Sequence, residues 1–105
     1  MTSSIDDYQF ISRPETPEEY RRRTGRAWPA GAPPARRFRI QADYAEHDEK
    51  IGGGVHAFIE QDTPPTRAQA EQIGWALVQA AVQRRLGPGD WRPSLATIEV
   101  LWLID

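Results

Sequence analysis

The chain has 105 residues, enough for one domain with a modest core, and its content of 39% apolar and 27% charged residues is typical of a folded globular protein. Its formal net charge of −2 predicts no general attraction to nucleic acid or to anionic membranes. Cysteine is absent, which excludes disulfides and thiolate metal sites, and no apolar run reaches the ~18 residues of a membrane span.

The same counts bear on where the protein acts. Twelve of the thirteen basic residues are arginine, a bias typical of a GC-rich bacterial genome. The first ten residues lack the basic region and apolar core of a secretory signal. We therefore expect a small bacterial protein of the cytoplasm.

Residues 1–37 form an N-terminal arm rich in proline and arginine. Its segment 8–12 favours a short edge strand. Thr16 is an N-cap residue and Gly25 a helix terminator, so the residues between them predict a short helix. The proline-rich segment 27–35 predicts an extended linker, because proline removes backbone donors and biases its predecessor away from the helix.

Residues 38–105 form the regular part of the chain. Strict alternation of apolar and polar residues predicts a strand at 38–44 and a second at 55–60. A long helix is expected over 66–86, with a capping box at its start and a glycine and a proline at its end. An apolar stretch at 94–105 predicts the last strand.

This order, (β)-α-β-β-α-β, predicts an α+β fold in one domain. We expect a small three- to four-stranded mixed or antiparallel sheet, with the long helix packed on one face and an irregular N-terminal arm that contains the short helix. Within the sheet, the strand at 38–44 is placed between the other two strands of the regular part.

The long helix and the last strand carry more apolar surface than one sheet face needs. Apolar groups cover about two-thirds of the helix circumference at 100° per residue, where a single stripe is usual. The last strand is apolar on both faces, which is typical of a buried strand. We therefore predict an exposed interaction surface and either a homodimer or a different protein partner. This surface comprises Phe58, Trp75, Val78, Val82, Leu86, Leu101 and Leu103.

Two features near the middle of the chain resemble ligand sites only weakly. The glycines at 52–54 open a strand rather than a helix, so they predict a turn or bulge rather than a phosphate loop. The acidic residues at 43–49 surround His47 but lack the spacing of a calcium loop, which favours a solvated loop. We expect no metal site and no cofactor.

Catalytic residue types are scarce. There is no cysteine nucleophile, and none of the serines lies in a Gly-x-Ser-x-Gly turn. His56 is a lone strand histidine, a pattern more typical of a structural role than of acid–base catalysis. A ligand-binding or enzymatic alternative would use a candidate pocket formed by Trp28, His56 and Trp102.

Arginines are concentrated in the N-terminal arm beside two aromatic residues. Guanidinium groups and aromatic faces together can bind single-stranded nucleic acid. Glutamates on the same short helix favour a solvated, self-paired surface instead. The candidate nucleic-acid contacts are Arg21, Arg22, Arg23, Arg26, Arg36 and Arg37.

The sequence thus favours a non-catalytic protein-interaction module of accessory, inhibitor or immunity type. A nucleic-acid-associated regulator that uses the arginines of the N-terminal arm is the first alternative. A small-ligand protein or enzyme with a pocket near His56 is the second.

Overall fold

A computed structural model describes residues 8–31, 34–45, 52–89 and 93–104. The described chain follows the predicted order of strands and helices and has the predicted α+β class. Its elements are β1 (Gln9–Pro14), α1 (Pro17–Thr24), β2 (Arg37–Ala45), β3 (Gly52–Glu60), α2 (Arg67–Leu86) and β4 (Ser94–Leu103).

The four strands form one mixed sheet in the order β1-β4-β2-β3. β1 runs parallel to β4, while β2 is antiparallel to both β4 and β3. The predictions that β2 lies between β3 and β4, and that the first strand lies at an edge, are both confirmed. The N-terminal arm therefore contributes a strand to the sheet itself.

The core lies between α2 and one face of the sheet. The alternation in β2 directs Phe38, Ile40 and Ala42 to this face, and all three side chains are fully buried. Ile98 and Val100 of β4 join them from the neighbouring strand. This apolar layer is the hydrophobic core of the domain.

α2 approaches the sheet along a line of small residues. Ala70, Gly74 and Val78 are buried, and a Cβ added to Gly74 would lie 3.2 Å from Ile98 Cδ1 and 3.5 Å from the Cβ of Ala42. Glycine at this position therefore lets the helix axis lie close to the sheet.

One sheet face covers more of α2 than the sequence suggests, although Ile73 and Leu77 stay half-buried and Ala80 exposed. Val78 and Val82 are fully buried, while Trp75 and Leu86 are partly buried against the core. Apolar residues lie on both sides of the buried line of α2, and Trp75 and Leu86 on one side and Ile73 on the other pack against the core. Because Gly74 and its small neighbours bring the helix so close, one sheet face shields most of the apolar circumference.

Both helices begin at the predicted threonines. In α1, Thr16 and Glu19 form a capping box, and Gly25 closes the helix with a φ of 76°. In α2, Thr66 accepts a hydrogen bond from the backbone of Gln69. The side chain of Gln69 is bonded to Gln61 rather than to the cap, because the segment after β3 lies within its reach.

The glycine run is part of β3, and the prediction of a turn or bulge there is wrong. Gly52, Gly53 and Gly54 pair in unbroken register with Ala45, Tyr44 and Asp43 of β2. A Cβ at Gly53 would lie 3.4 Å from the Tyr44 hydroxyl, and one at Gly54 would lie 2.8 Å from an Asp43 carboxylate oxygen. The side chains of β2 occupy the space above these glycines.

Among the described residues, neither helix has the length and apolar content needed to cross a lipid bilayer.

We expect Gly74→Val to lower the free energy of unfolding by about 1–3 kcal/mol, because the added methyl groups would overlap Ile98 in a close-packed core. The measurement is chemical denaturation followed by circular dichroism. Ala76→Val on the exposed side of α2 is the matched control, with a cost below about 1 kcal/mol that reflects helix propensity alone. Equal losses in the two variants would contradict the close packing of α2.

Candidate interaction surface

The sheet face opposite α2 carries most of the charged side chains of the strands. β2 presents Arg39 and Gln41 there, and β3 presents His56 and Phe58. β4 presents Leu101 and Leu103, which are buried although they lie on this face. We call it the open face, because α1 covers only one end of it.

A buried carboxylate fixes α1 at that end. Glu15 has a side chain only 1% exposed, and both of its oxygens accept hydrogen bonds from Arg23 of α1, at 3.1 and 2.7 Å. The backbone N–H of Ile104 donates to the same carboxylate at 2.9 Å, and Arg23 donates to the carbonyl of Ile104 at 2.8 Å. This network ties Glu15, before α1, and Arg23, in the last turn of α1, to the residue that follows β4.

A second ion-pair network lies at the surface beside it. Arg13 of β1 makes two parallel hydrogen bonds with the carboxylate of Glu19, at 2.8 and 2.9 Å. These bonds, together with the backbone N–H of Thr16, lower the pKa of Glu19 from its ordinary value of 4.5 to about 2. Glu99 lies between two arginines, 3.6 Å from Arg13 and 3.8 Å from Arg39.

A groove of about 410 Å³ opens where α1 meets the open face. Apolar side chains of β3 and β4 and charged side chains of α1 and β2 share its lining. The Nε atom of Arg39 in this lining is buried, and none of the described residues accepts a hydrogen bond from it. The lining residues are Glu15, Glu19, Arg22, Arg23, Arg39, Phe58, Leu101 and Leu103.

Phe58 stands at the edge of this groove. Its side chain is 48% exposed, and no other large apolar residue in the described parts of the chain is exposed. The ring of His56 meets it edge-on at 5.6 Å, and the guanidinium of Arg37 lies 5.0 Å from its centroid. An aromatic ring held between a histidine and an arginine, half open to solvent, is typical of an interface anchor.

β3 is an edge strand nine residues long, and β2 is its one neighbour among the described strands. The N–H of Gln61 donates to the carbonyl of Arg36, which continues the β2–β3 ladder by one pair. Backbone polar groups alternate in direction along an antiparallel strand. The N–H and C=O groups of Gly54, His56 and Phe58 therefore point away from β2, toward the free edge.

At the other edge of the sheet, an aromatic residue ties β1 to α2. The Tyr8 hydroxyl donates to Glu71 and accepts a hydrogen bond from Arg67. Tyr8 is buried, and the pKa of its hydroxyl is raised by that burial and by the bond to Glu71. These bonds show which flank of α2 faces β1.

The predicted interaction surface is mostly not exposed. Leu101 and Leu103 are 5% and 3% exposed, because α1 lies beside them and the arginine stems of the neighbouring strands flank Leu101. Together with the buried Val78 and Val82 of α2, they leave almost no side-chain surface exposed for a partner. Of the seven predicted residues, Phe58 alone is exposed.

The structure does not bring the three predicted pocket residues together. Trp102 pairs with Phe38 on the α2 side of the sheet and donates its indole N–H to Ser12. His56 lies on the open face, the opposite side. Trp28 packs edge-on against Tyr20 at 5.4 Å, beside α1. The prediction failed because it did not assign Trp102 and His56 to opposite faces.

Most of the candidate nucleic-acid contacts are engaged within the chain. Arg22 pairs with Glu18, Arg23 with Glu15, and Arg36 with Asp62. Arg37 lies over the ring of Phe58. The remaining candidates, Arg21 and Arg26, lie near the end of α1.

Sequence reasoning missed Glu15 and Arg39, two of the charged residues that line the groove. From its sequence position between a strand and a helix N-cap, Glu15 is expected to be solvated. Arg39 is expected to be a solvent-facing polar residue of an alternating strand. Glu15 and Arg23 are eight residues apart, on either side of the helix cap at Thr16, and this spacing was the one sequence feature that could have indicated their ion pair. Most of the acidic cluster, Glu46 to Glu49 with His47, lies outside the described residues.

Comparison with protein families, with characterised proteins and with solved structures finds no match to this chain.

Replacing Glu15 should destabilise the whole domain. In Glu15→Gln, we expect a loss of about 1–3 kcal/mol in the free energy of unfolding, because the amide NH2 group in this buried site leaves a hydrogen-bond donor of Arg23 or Ile104 without its acceptor. Glu18→Gln is the matched control, since its ion pair with Arg22 is about 70% exposed on both sides and should contribute at most about 1 kcal/mol. Similar denaturation midpoints for the two variants would rule out the role given to Glu15.

The lowered pKa of Glu19 predicts an acid-sensitive contribution to stability. A carboxylate with a depressed folded-state pKa stabilises the protein fully above its unfolded value, and this contribution is lost as the pH falls from about 4.5 toward 2. The difference in unfolding free energy between wild type and Glu19→Gln should therefore shrink over that range. A difference that stays constant with pH would contradict the assignment.

Proposed function

We propose that this protein is a non-catalytic protein-interaction module, and that it binds its partner with Phe58, the groove beside α1 and the free edge of β3. The observation that carries this proposal is the exposure of Phe58. Every other large apolar side chain in the described residues is at least partly buried, and Phe58 borders a groove that is lined by both apolar and charged side chains.

The surroundings of Phe58 also support a protein partner. Hot spots of protein interfaces are enriched in aromatic residues and arginine, and they lie among polar groups that form a rim. Arg37 and His56 contact the ring, and the charged groove begins beside it. The free edge of β3 adds a row of backbone donors and acceptors, which a partner strand can use.

The two alternative functions have less support. A phosphate-binding stripe needs unpaired arginines, whereas four of the six candidates have partners in the chain. A catalytic or ligand pocket that used Trp28, His56 and Trp102 would need residues that lie far apart on two faces of the sheet. An accessory, inhibitor or immunity-type protein of a bacterial cytoplasm, bound to a second copy or to a different protein, fits the surface best.

A photoreactive phenylalanine analogue at position 58 tests this function in the bacterial cell. We expect irradiation to yield a covalent adduct with a protein, because the ring lies in the contact. The matched control carries the analogue at Gln83, an exposed position on the outer side of α2, and should give no adduct. Absence of a specific adduct at position 58 would overturn the proposed function, whatever the partner is.

A further inference from the structure

We infer that a second copy of this chain binds the free edge of β3, so that the two β3 strands pair antiparallel about a two-fold axis at His56. This inference rests on the proposed function and identifies the partner. The result is one continuous sheet of eight strands. Antiparallel pairing about a two-fold perpendicular to the sheet keeps both α2 helices on the same face.

The free edge of β3 has the length and composition of a pairing strand. Natural proteins usually protect such an edge with proline, lysine, bulges or short strands. β3 has nine residues in unbroken register with β2, contains neither proline nor lysine, and carries Glu60 as its one acidic residue and His56 as its one histidine. An edge of this length that none of the described residues protects is suited to a partner strand.

The direction of the backbone groups suits a two-fold axis at His56. The ladder places the N–H and C=O of Gly54, His56 and Phe58 on the free side. In the proposed register, His56 faces its own symmetry mate and Gly54 faces Phe58 of the second copy. Each of these is a hydrogen-bonded pair, so the outward groups of both strands are satisfied together.

The side chains are self-complementary in the same register. The first three residues of β3 are glycines, and the last three are large. An axis at His56 places Phe58 against Gly54, Ile59 against Gly53 and Glu60 against Gly52 of the other copy. Each bulky side chain meets a residue without one, and the exposed ring of Phe58 gains a backbone surface to cover it.

α2 directs apolar side chains toward the same dimer seam. Glu71 faces the β1 edge, where it binds Tyr8. At 100° per residue, Ile73, Leu77 and Ala80 lie on the opposite flank of the helix, toward the free edge of β3. Ile73 and Leu77 are only half-buried and Ala80 is exposed, so this flank has apolar surface left to bury.

The spacing of the sheet sets the distance between the two helices. α2 packs on β2, β3 and β4, and Gly74 lies over Ala42 of β2 and Ile98 of β4, so the helix is centred over β2. With a strand spacing of about 4.8 Å, its symmetry mate lies about 14 Å away, which is more than the about 8–10 Å of directly packed helices. Ala42 pairs with Val55, so the side chains of Ile73 and Leu77 are level with the proposed axis and border the space between the two helices.

A single cysteine tests the register, because the natural chain has none. In His56→Cys, the two introduced thiols face each other on residues with Cα atoms about 5.5 Å apart, within the range for a disulfide. Mild oxidation should convert most of the protein to a covalent dimer. Glu60→Cys is the control: position 60 is also exposed, but its symmetry mates lie about 27 Å apart and should not cross-link.

Sedimentation of the unmodified protein supplies the second measurement, with twice the monomer mass of 11.9 kDa expected. A monomer at every concentration overturns the inference, as does a dimer in which the Glu60→Cys variant cross-links as fast as the His56→Cys variant. Neither result touches the proposed function, because a different protein would still form an adduct at position 58. A dimer with rapid cross-linking at position 56 alone supports the inference.

Discussion

The fold depends on one buried carboxylate. Glu15 binds Arg23 of α1 and the backbone of Ile104. These two partners come from opposite ends of the chain. Desolvating a glutamate is costly unless its oxygens are fully hydrogen-bonded, and here they receive three hydrogen bonds. The N-terminal arm is therefore held in one position on the sheet, where it acts as part of the domain.

The position of α1 explains why so little apolar surface is left exposed. With α1 beside the end of β4, Leu101 and Leu103 are covered without a second subunit. On the other face, Gly74 brings α2 so close to the sheet that Trp75, Leu86 and Ile73 pack against the core. The surface that remains available to a partner is limited to Phe58 and the edge strand β3 that carries it. The case for a partner thus rests on one anchor and one strand edge rather than on a broad apolar surface.

The sequence predicted the elements, their order and the central place of β2, because alternation in the strands and the caps at Thr16 and Thr66 are local signals. It did not predict which apolar residues stay exposed. That outcome depends on how close α2 comes to the sheet, which Gly74 decides, and on an ion pair between Glu15 and Arg23 whose burial no local pattern reveals. The sequence placed Phe58 in a predicted interaction surface of seven residues. Only the fold shows that Phe58 is the exposed member of that set.

The place of β4 has a consequence for how the chain folds during synthesis. β4 is the last of the elements to leave the ribosome, yet it lies between β1 and β2 and pairs with both. β1 pairs with β4 alone among the described strands, so it can join the sheet only after β4 has been synthesised. The β2–β3 hairpin and α2 can assemble before that. Closing a contact between Glu15 and Ile104, 89 residues apart, carries a large loop entropy. Assembly of the sheet is therefore completed by its most distant pairing, and until then the nascent chain exposes the edge of β2 that β4 will cover.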